Sequence, residues 1–118
     1  AFTGGERELA QRPVAPTSAE GTAIRRPVRM AQVLEALAQT GGGTVALREE
    51  QIAAAVRRLA AGGLYAEPTS ALAAAAVDEL AQRGAIRPGE RTVVLLTGTG
   101  LKATQYMTTL FAGEETAR

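Results

Sequence analysis

The sequence predicts an α/β fold: a partial three-layer sandwich in which a short parallel sheet is covered by helices. Apolar residues recur at helical spacing in separate stretches, and each stretch is closed by glycine. Between and after these stretches lie short apolar runs, of which Val93, Val94, Leu95 and Leu96 form the longest unbroken β-favouring one. A run that is apolar on both faces is what a central parallel strand requires, and helices alternating with such runs make the α/β pattern.

The elements follow in order. Residues 1–19 carry Gly4, Gly5, Pro13 and Pro16 and no sustained period, which predicts an irregular lead-in segment. Met30, Val33, Leu34 and Leu37 then fall on one helix face, predicting a helix over 27–39 with Pro27 near its start and Gly41 as its C-cap. A short Thr44, Val45, Ala46 run precedes a second helix over 48–61, whose apolar face is Ile52, Ala55, Val56 and Leu59. Glu49 and Glu50 lie in its first turn, where the helix dipole favours anions. Gly62 and Gly63 end it. After Leu64, Tyr65 and Ala66 comes a third helix over 69–82, opened by Thr69 and Ser70 as cap residues and closed by Gly84. Its alanine-rich stretch over 71–76 carries little bulk and suits close approach to a neighbouring backbone. Pro88 and Gly89 stand where a type II turn places them, just before the 93–96 strand. No internal repeat is present.

Composition removes several kinds of chemistry. The chain has 118 residues with no His and no Cys, so thiol nucleophiles, disulfides, Cys/His zinc sites and His-based triads are absent from it, and no metal-ligand set stands out. Thirteen basic and twelve acidic residues give a net charge of +1, which predicts no strong attraction to nucleic acid or membrane. Aromatics are 3%, too few for base-stacking platforms. Alanine is about a fifth of the chain, which suits closely packed helices. No apolar stretch is long enough to span a bilayer. The lack of Cys is compatible with a reducing compartment.

Ligands in open α/β sheets bind at the carboxyl ends of strands, which draws attention to Thr97, Gly98, Thr99 and Gly100 directly after the 93–96 run. Two readings stay open there: a tight strand exit with two exposed hydroxyls, which spacing alone favours, and a ligand contact with glycines admitting a close group. Glu67 is an anion near the start of the third helix, a carboxylate at the rim of a ligand crevice, or both. Gly41, Gly42 and Gly43 follow a helix rather than open one, so they read as a terminating turn and not as a phosphate loop. Arg25, Arg26 and Arg29 read as a solvated face. Lys102 is the only lysine, and nothing around it in the sequence marks it as buried.

Three segments, AEGTAIRRPVR at 19–29, GGLYAEPTSALAAAAVDEL at 62–80 and VVLLTGTGLK at 93–102, resemble in order and spacing the C-terminal part of the large domain of fold type II pyridoxal-phosphate enzymes. The threonine synthase family is the nearest match; serine and threonine dehydratases, which tend to carry Ser-Gly-Gly-type turns at the second position, come next. The resemblance implies that Thr97 bonds the pyridine nitrogen of pyridoxal phosphate, that Gly98 and Gly100 allow close approach beside the ring, and that Glu67 lies near the cofactor. It implies domain limits of 20–103 for the large-domain portion, with 104–118 a tail of unassigned structure. Relatives carry the Schiff-base lysine and the phosphate loop upstream, and Lys102 matches the non-catalytic lysine of GLK. The expected partners are therefore the N-terminal half of the enzyme and a small amino-acid substrate, in a cytoplasmic protein for which a homodimer is one expected assembly. By itself the chain is expected to be inactive. A non-catalytic α/β interaction module is the alternative from another class. The sequence departs from the family at Leu47, where Ser or Asp is usual, and at Ala103 and Thr104, where Asp-Pro often follows GLK.

Overall fold

A computed structural model of the chain describes residues 15–112. Most of the lead-in (1–14) and the end of the tail (113–118) lie outside the described residues. Among the described residues there are four helices: α1 (Met30–Thr40), α2 (Glu49–Ala61), α3 (Pro68–Gln82) and α4 (Thr104–Ala112). Two short 3-10 turns, Glu20–Thr22 and Gly100–Ala103, accompany them. The tail beyond residue 103 is thus helical as far as Ala112, and the second 3-10 turn runs straight into it.

The helix ends lie close to those expected. Gly41 takes φ 63° as the C-cap of α1, Gly63 takes φ 81° after α2, and Gly84 takes φ 69° after α3; only glycine reaches such angles without strain. The turn after α3 has Gly89 at φ 88° and a Glu90 N–H to Arg87 carbonyl bond of 3.1 Å, as its Pro-Gly pair predicts. At the start of α2, Arg48 rather than Leu47 is the N-cap. An arginine side chain has no acceptor for the free helix amides, but the Gln51 side chain reaches back to the Arg48 N–H at 2.9 Å.

Helices α2 and α3 form an antiparallel pair and hold the core. Ala55 and Val56 of α2 pack on Ala71, Ala74 and Ala75 of α3, and Met107 of α4 joins them. The small side chains of α3 let the two helix axes approach closely, and dispersion contacts rather than bulk fill the interface. Polar pairs border this seam. Gln51 donates to Glu79 at 2.9 Å, Arg58 pairs with Asp78, and Arg58 also reaches the Ala74 carbonyl at 3.3 Å. Arg83, then Gln51, hold the Glu79 carboxyl below its usual range. Arg57 donates to the Leu110 carbonyl at 3.1 Å, satisfying the C-terminal end of α4 from α2.

The segment before α1 is tied down at both helices. The Ser18 N–H and hydroxyl donate to Glu49 at 3.0 and 2.7 Å, and the Gly21 N–H donates to the Thr69 hydroxyl at 3.1 Å. Hydrogen bonding from Thr17 and from Ser18 lowers the Glu49 pKa, outweighing a small opposing effect of burial.

The sheet is where structure and expectation part. Among the described residues there is no strand; the one pairing is an isolated antiparallel bridge between Ala66 and Thr99. Val93, Val94, Leu95 and Leu96 are 84%, 37%, 74% and 37% exposed, an alternation of period two, yet their backbone has no neighbouring strand. A strand exists only through the groups of another strand, and the 44–46 run likewise finds none. Helix α1 has no buried residue, and Val33 on its apolar face is half exposed.

Candidate functional site

Segments 65–70 and 97–100 are clasped together, and this clasp gathers the residues that the sequence singles out. The Gly100 N–H donates to the Tyr65 carbonyl at 2.9 Å, and the Glu67 N–H donates to the Gly98 carbonyl at 3.1 Å. The third connection comes from Ser70. Its Oγ accepts the Thr97 N–H at 3.0 Å and the Gly98 N–H at 2.7 Å, and lies 3.3 Å from Thr97 Oγ1.

Ser70 is expected from sequence to cap its own helix, and the structure corrects this. Helix α3 begins at Pro68 with Glu67 in the N-cap position, and Pro68 has no N–H to satisfy. Ser70 sits within the first turn, 1% exposed, with its hydroxyl turned to the neighbouring segment. Thr69 likewise serves Gly21 rather than the helix. The sequence signal for Ser70 is present, a small hydroxyl residue two places after a helix-starting proline, but its partner lies 27 residues away.

Of the four residues expected at the site, Thr97 is exposed, Gly98 and Glu67 are half-buried, and Gly100 is buried. Gly98 is glycine for a local reason: a Cβ there would collide with the Glu67 carboxylate, which lies across its Cα. A Cβ on Gly100 would meet the Tyr65 ring at 2.8 Å and Met107 at 3.0 Å. Both glycines thus allow a close approach made by side chains of this chain itself.

Glu67 also borders a cleft of about 550 Å³ between the first 3-10 turn, the start of α3 and the start of α4. Glu20, Thr69, Lys102 and Tyr106 line it as well, whereas Thr97 does not. The structure therefore brings Glu67 and Gly98 together, sets Thr97 beside Ser70, and places Lys102 at an exposed position in the second 3-10 turn. Arg25, Arg26 and Arg29 are all exposed, as a solvated face would be. Gly41 to Gly43 terminate α1 and open no helix.

Comparison with known proteins decides the family. The profile described as "Pyridoxal-phosphate dependent enzyme" matches residues 2–98, most of the chain. The chain belongs to the pyridoxal-phosphate dependent enzyme family. Among the proteins it resembles is the threonine synthase of Methanocaldococcus jannaschii, 39% identical over 84 residues, which are 69% of this chain and 21% of that protein. The threonine synthase of Bacillus sp. (strain ULM1) is 39% identical over 84 residues, 69% of this chain and 24% of the relative. That of Halalkalibacterium halodurans is 37% identical over the same length and shares. The resemblance to threonine synthase that the three segments carry is therefore upheld. The chain spans about a fifth to a quarter of the length of these relatives. No solved structure matches it.

The cofactor of the pyridoxal-phosphate dependent enzyme family is pyridoxal phosphate, and the α/β class belongs to the family, although the described residues are helical. The residues present fit one part of that group. An exposed hydroxyl held at its root by a buried serine suits a neutral ring nitrogen, since it donates one hydrogen bond and carries no charge.

Proposed function

We propose that these residues form the ring-nitrogen side of the cofactor site in a threonine synthase-like enzyme, one that converts O-phosphohomoserine and water into threonine and phosphate. The observation that carries this reading is the Thr97 hydroxyl, exposed and anchored through the Thr97 and Gly98 amides to buried Ser70, in a chain of this family. The three relatives named are threonine synthases, which favours this reaction over a dehydratase.

Pyridoxal phosphate, when bound, supplies the electron withdrawal that the replacement needs. Thr97 donates to the ring nitrogen and thereby orients the ring. Glu67, fixed over Gly98, stands at the rim beside the first turn of α3. Lys102 is not the cofactor-linking lysine on this reading: it is exposed, in a 3-10 turn, and it matches the lysine of GLK, which is not the catalytic one in relatives. That lysine and the phosphate loop belong to upstream sequence, whose strands also pair with the 93–96 run to complete the sheet. The intact enzyme on this reading is cytoplasmic and assembles as a homodimer.

The test uses both lengths of protein. The 118-residue chain, mixed with pyridoxal phosphate and reduced with borohydride, is expected to release no phosphate from O-phosphohomoserine and to carry no stoichiometric label on Lys102. Labelling of Lys102 together with turnover overturns the reading. The longer enzyme carrying these residues is expected to release phosphate, with Thr97→Val lowering kcat and Thr97→Ser restoring much of it.

A further inference from the structure

We propose that Ser70 is a positioning residue that sets the direction of the Thr97 hydroxyl, making it a donor toward the ligand, so that the site accepts a ring nitrogen in its unprotonated form. This rests on the reading that Thr97 faces the ring nitrogen of pyridoxal phosphate.

The argument is a count of lone pairs and protons. A serine oxygen has two lone pairs and one proton. In Ser70 both lone pairs are engaged, by the Thr97 N–H at 3.0 Å and the Gly98 N–H at 2.7 Å. What remains is its own proton, and its remaining hydrogen-bond neighbour is Thr97 Oγ1 at 3.3 Å. The opposite direction would place three donors on one oxygen and leave a buried O–H aimed at no acceptor. Ser70 is 1% exposed, so water offers that proton no alternative. Ser70 therefore donates and Thr97 accepts.

Thr97 is exposed, and with one lone pair bound to Ser70 its own proton is free to meet a ligand on the exposed side. Accepting a bond also polarises a hydroxyl and strengthens it as a donor. A neutral pyridine nitrogen matches this donor. A protonated one would have to use the second lone pair of Thr97 and turn the hydroxyl proton aside, so it is the poorer match. The two amides that saturate Ser70 belong to the same turn that carries Thr97, so one buried atom sets both the place of the hydroxyl and its polarity.

Two measurements test this, and they fail separately. In the unaltered 118-residue chain, proton NMR is expected to show a slowly exchanging Ser70 hydroxyl proton with a cross-peak to the Gly98 amide, and a rapidly exchanging Thr97 hydroxyl. Protection of the Thr97 hydroxyl proton instead, or of neither, overturns the proposal without any cofactor being involved. In the longer holoenzyme, with the ring nitrogen of the cofactor labelled with ¹⁵N, Ser70→Ala is expected to raise the pKa of that nitrogen by about one unit, and Ser70→Thr to leave it in place. Thr97→Val serves as the reference. If it leaves the nitrogen unmoved, the placement of Thr97 is wrong. If it moves the nitrogen while Ser70→Ala does not, the role of Ser70 is wrong. Should Ser70→Ala fail to fold, the hydroxyl-proton experiment on the unaltered chain still decides.

Discussion

The carboxylate of Glu67 occupies the place where a side chain on Gly98 would stand. The backbone of the same two residues is joined by the Glu67 N–H to Gly98 carbonyl bond at 3.1 Å, so the side chain folds back over its own hydrogen-bond partner. Gly98→Ala is expected to cost about 1 kcal/mol, the low end of the overpacking range, because the obstructing atoms are the movable end of a glutamate. In a double-mutant cycle read by thermal unfolding, Glu67→Ala should recover most of that loss. Additive effects would show that the two side-chain positions do not compete.

The seam between α2 and α3 tolerates no bulk. Ala75 is 2% exposed and lies in the core with Val56 and Met107. Ala75→Leu is expected to destabilise the chain by about 1–3 kcal/mol, since the added carbons must displace α2. Urea unfolding checks it. An unchanged midpoint would mean that the helices are not held at this distance.

Acid should weaken the tie between residues 17–18 and α2. The Glu49 carboxyl has a lowered pKa in the folded chain, through Thr17 first and then Ser18. A carboxyl with a depressed folded-state pKa contributes stability above its unfolded pKa, in full at neutral pH, and loses it as the pH falls through the folded value. In that window the unfolded chain binds more protons, so stability rises with pH. Glu79 behaves in the same sense, through Arg83 and Gln51. Glu49→Gln is therefore expected to be less stable than the parent at pH 7 and to converge with it in acid, as read by thermal unfolding across pH. A constant difference at all pH values would show that the contact does not depend on the charge.

The run 93–96 is a liability in the isolated chain. Val93 and Leu95 are largely exposed, β-favouring and unpaired, which are the conditions for edge-to-edge association. Leu95→Lys is expected to reduce light scattering of concentrated chain at unchanged unfolding temperature. In the longer enzyme the same change should impair folding, because this position would there be inside a sheet.

How much of this was legible in the sequence depends on how far each signal reaches. Gly41, Gly63 and Gly84 act within a single turn, and the helices end beside them. The apolar spacing of Ile52, Ala55 and Val56 marks a helix face that the structure buries. The 93–96 run carries β propensity, but a strand is a property of two segments, and the described residues offer it no second one. The start of α3 depends on whether hydroxyls at 69 and 70 serve the helix or a distant segment, and only the contacts to Gly21, Thr97 and Gly98 decide that. The resemblance assigns nothing to α4, because the sequence departs from the family at Ala103 and Thr104; yet Tyr106, Met107, Leu110 and Phe111 recur at helical spacing, and docking of Met107 and the Arg57 bond to Leu110 hold the helix in place.

The clasp between 65–70 and 97–100 ties off everything between its halves as a closed loop, with the Pro88-Gly89 turn exposed along it. Loop closure grows only slowly with length, at about 0.6 kcal/mol for each doubling. Extra residues at that turn would therefore cost little and leave Thr97 where it is. Lengthening can accumulate there over evolutionary time, or be engineered there, while the spacing between the two halves of the clasp in space stays constant.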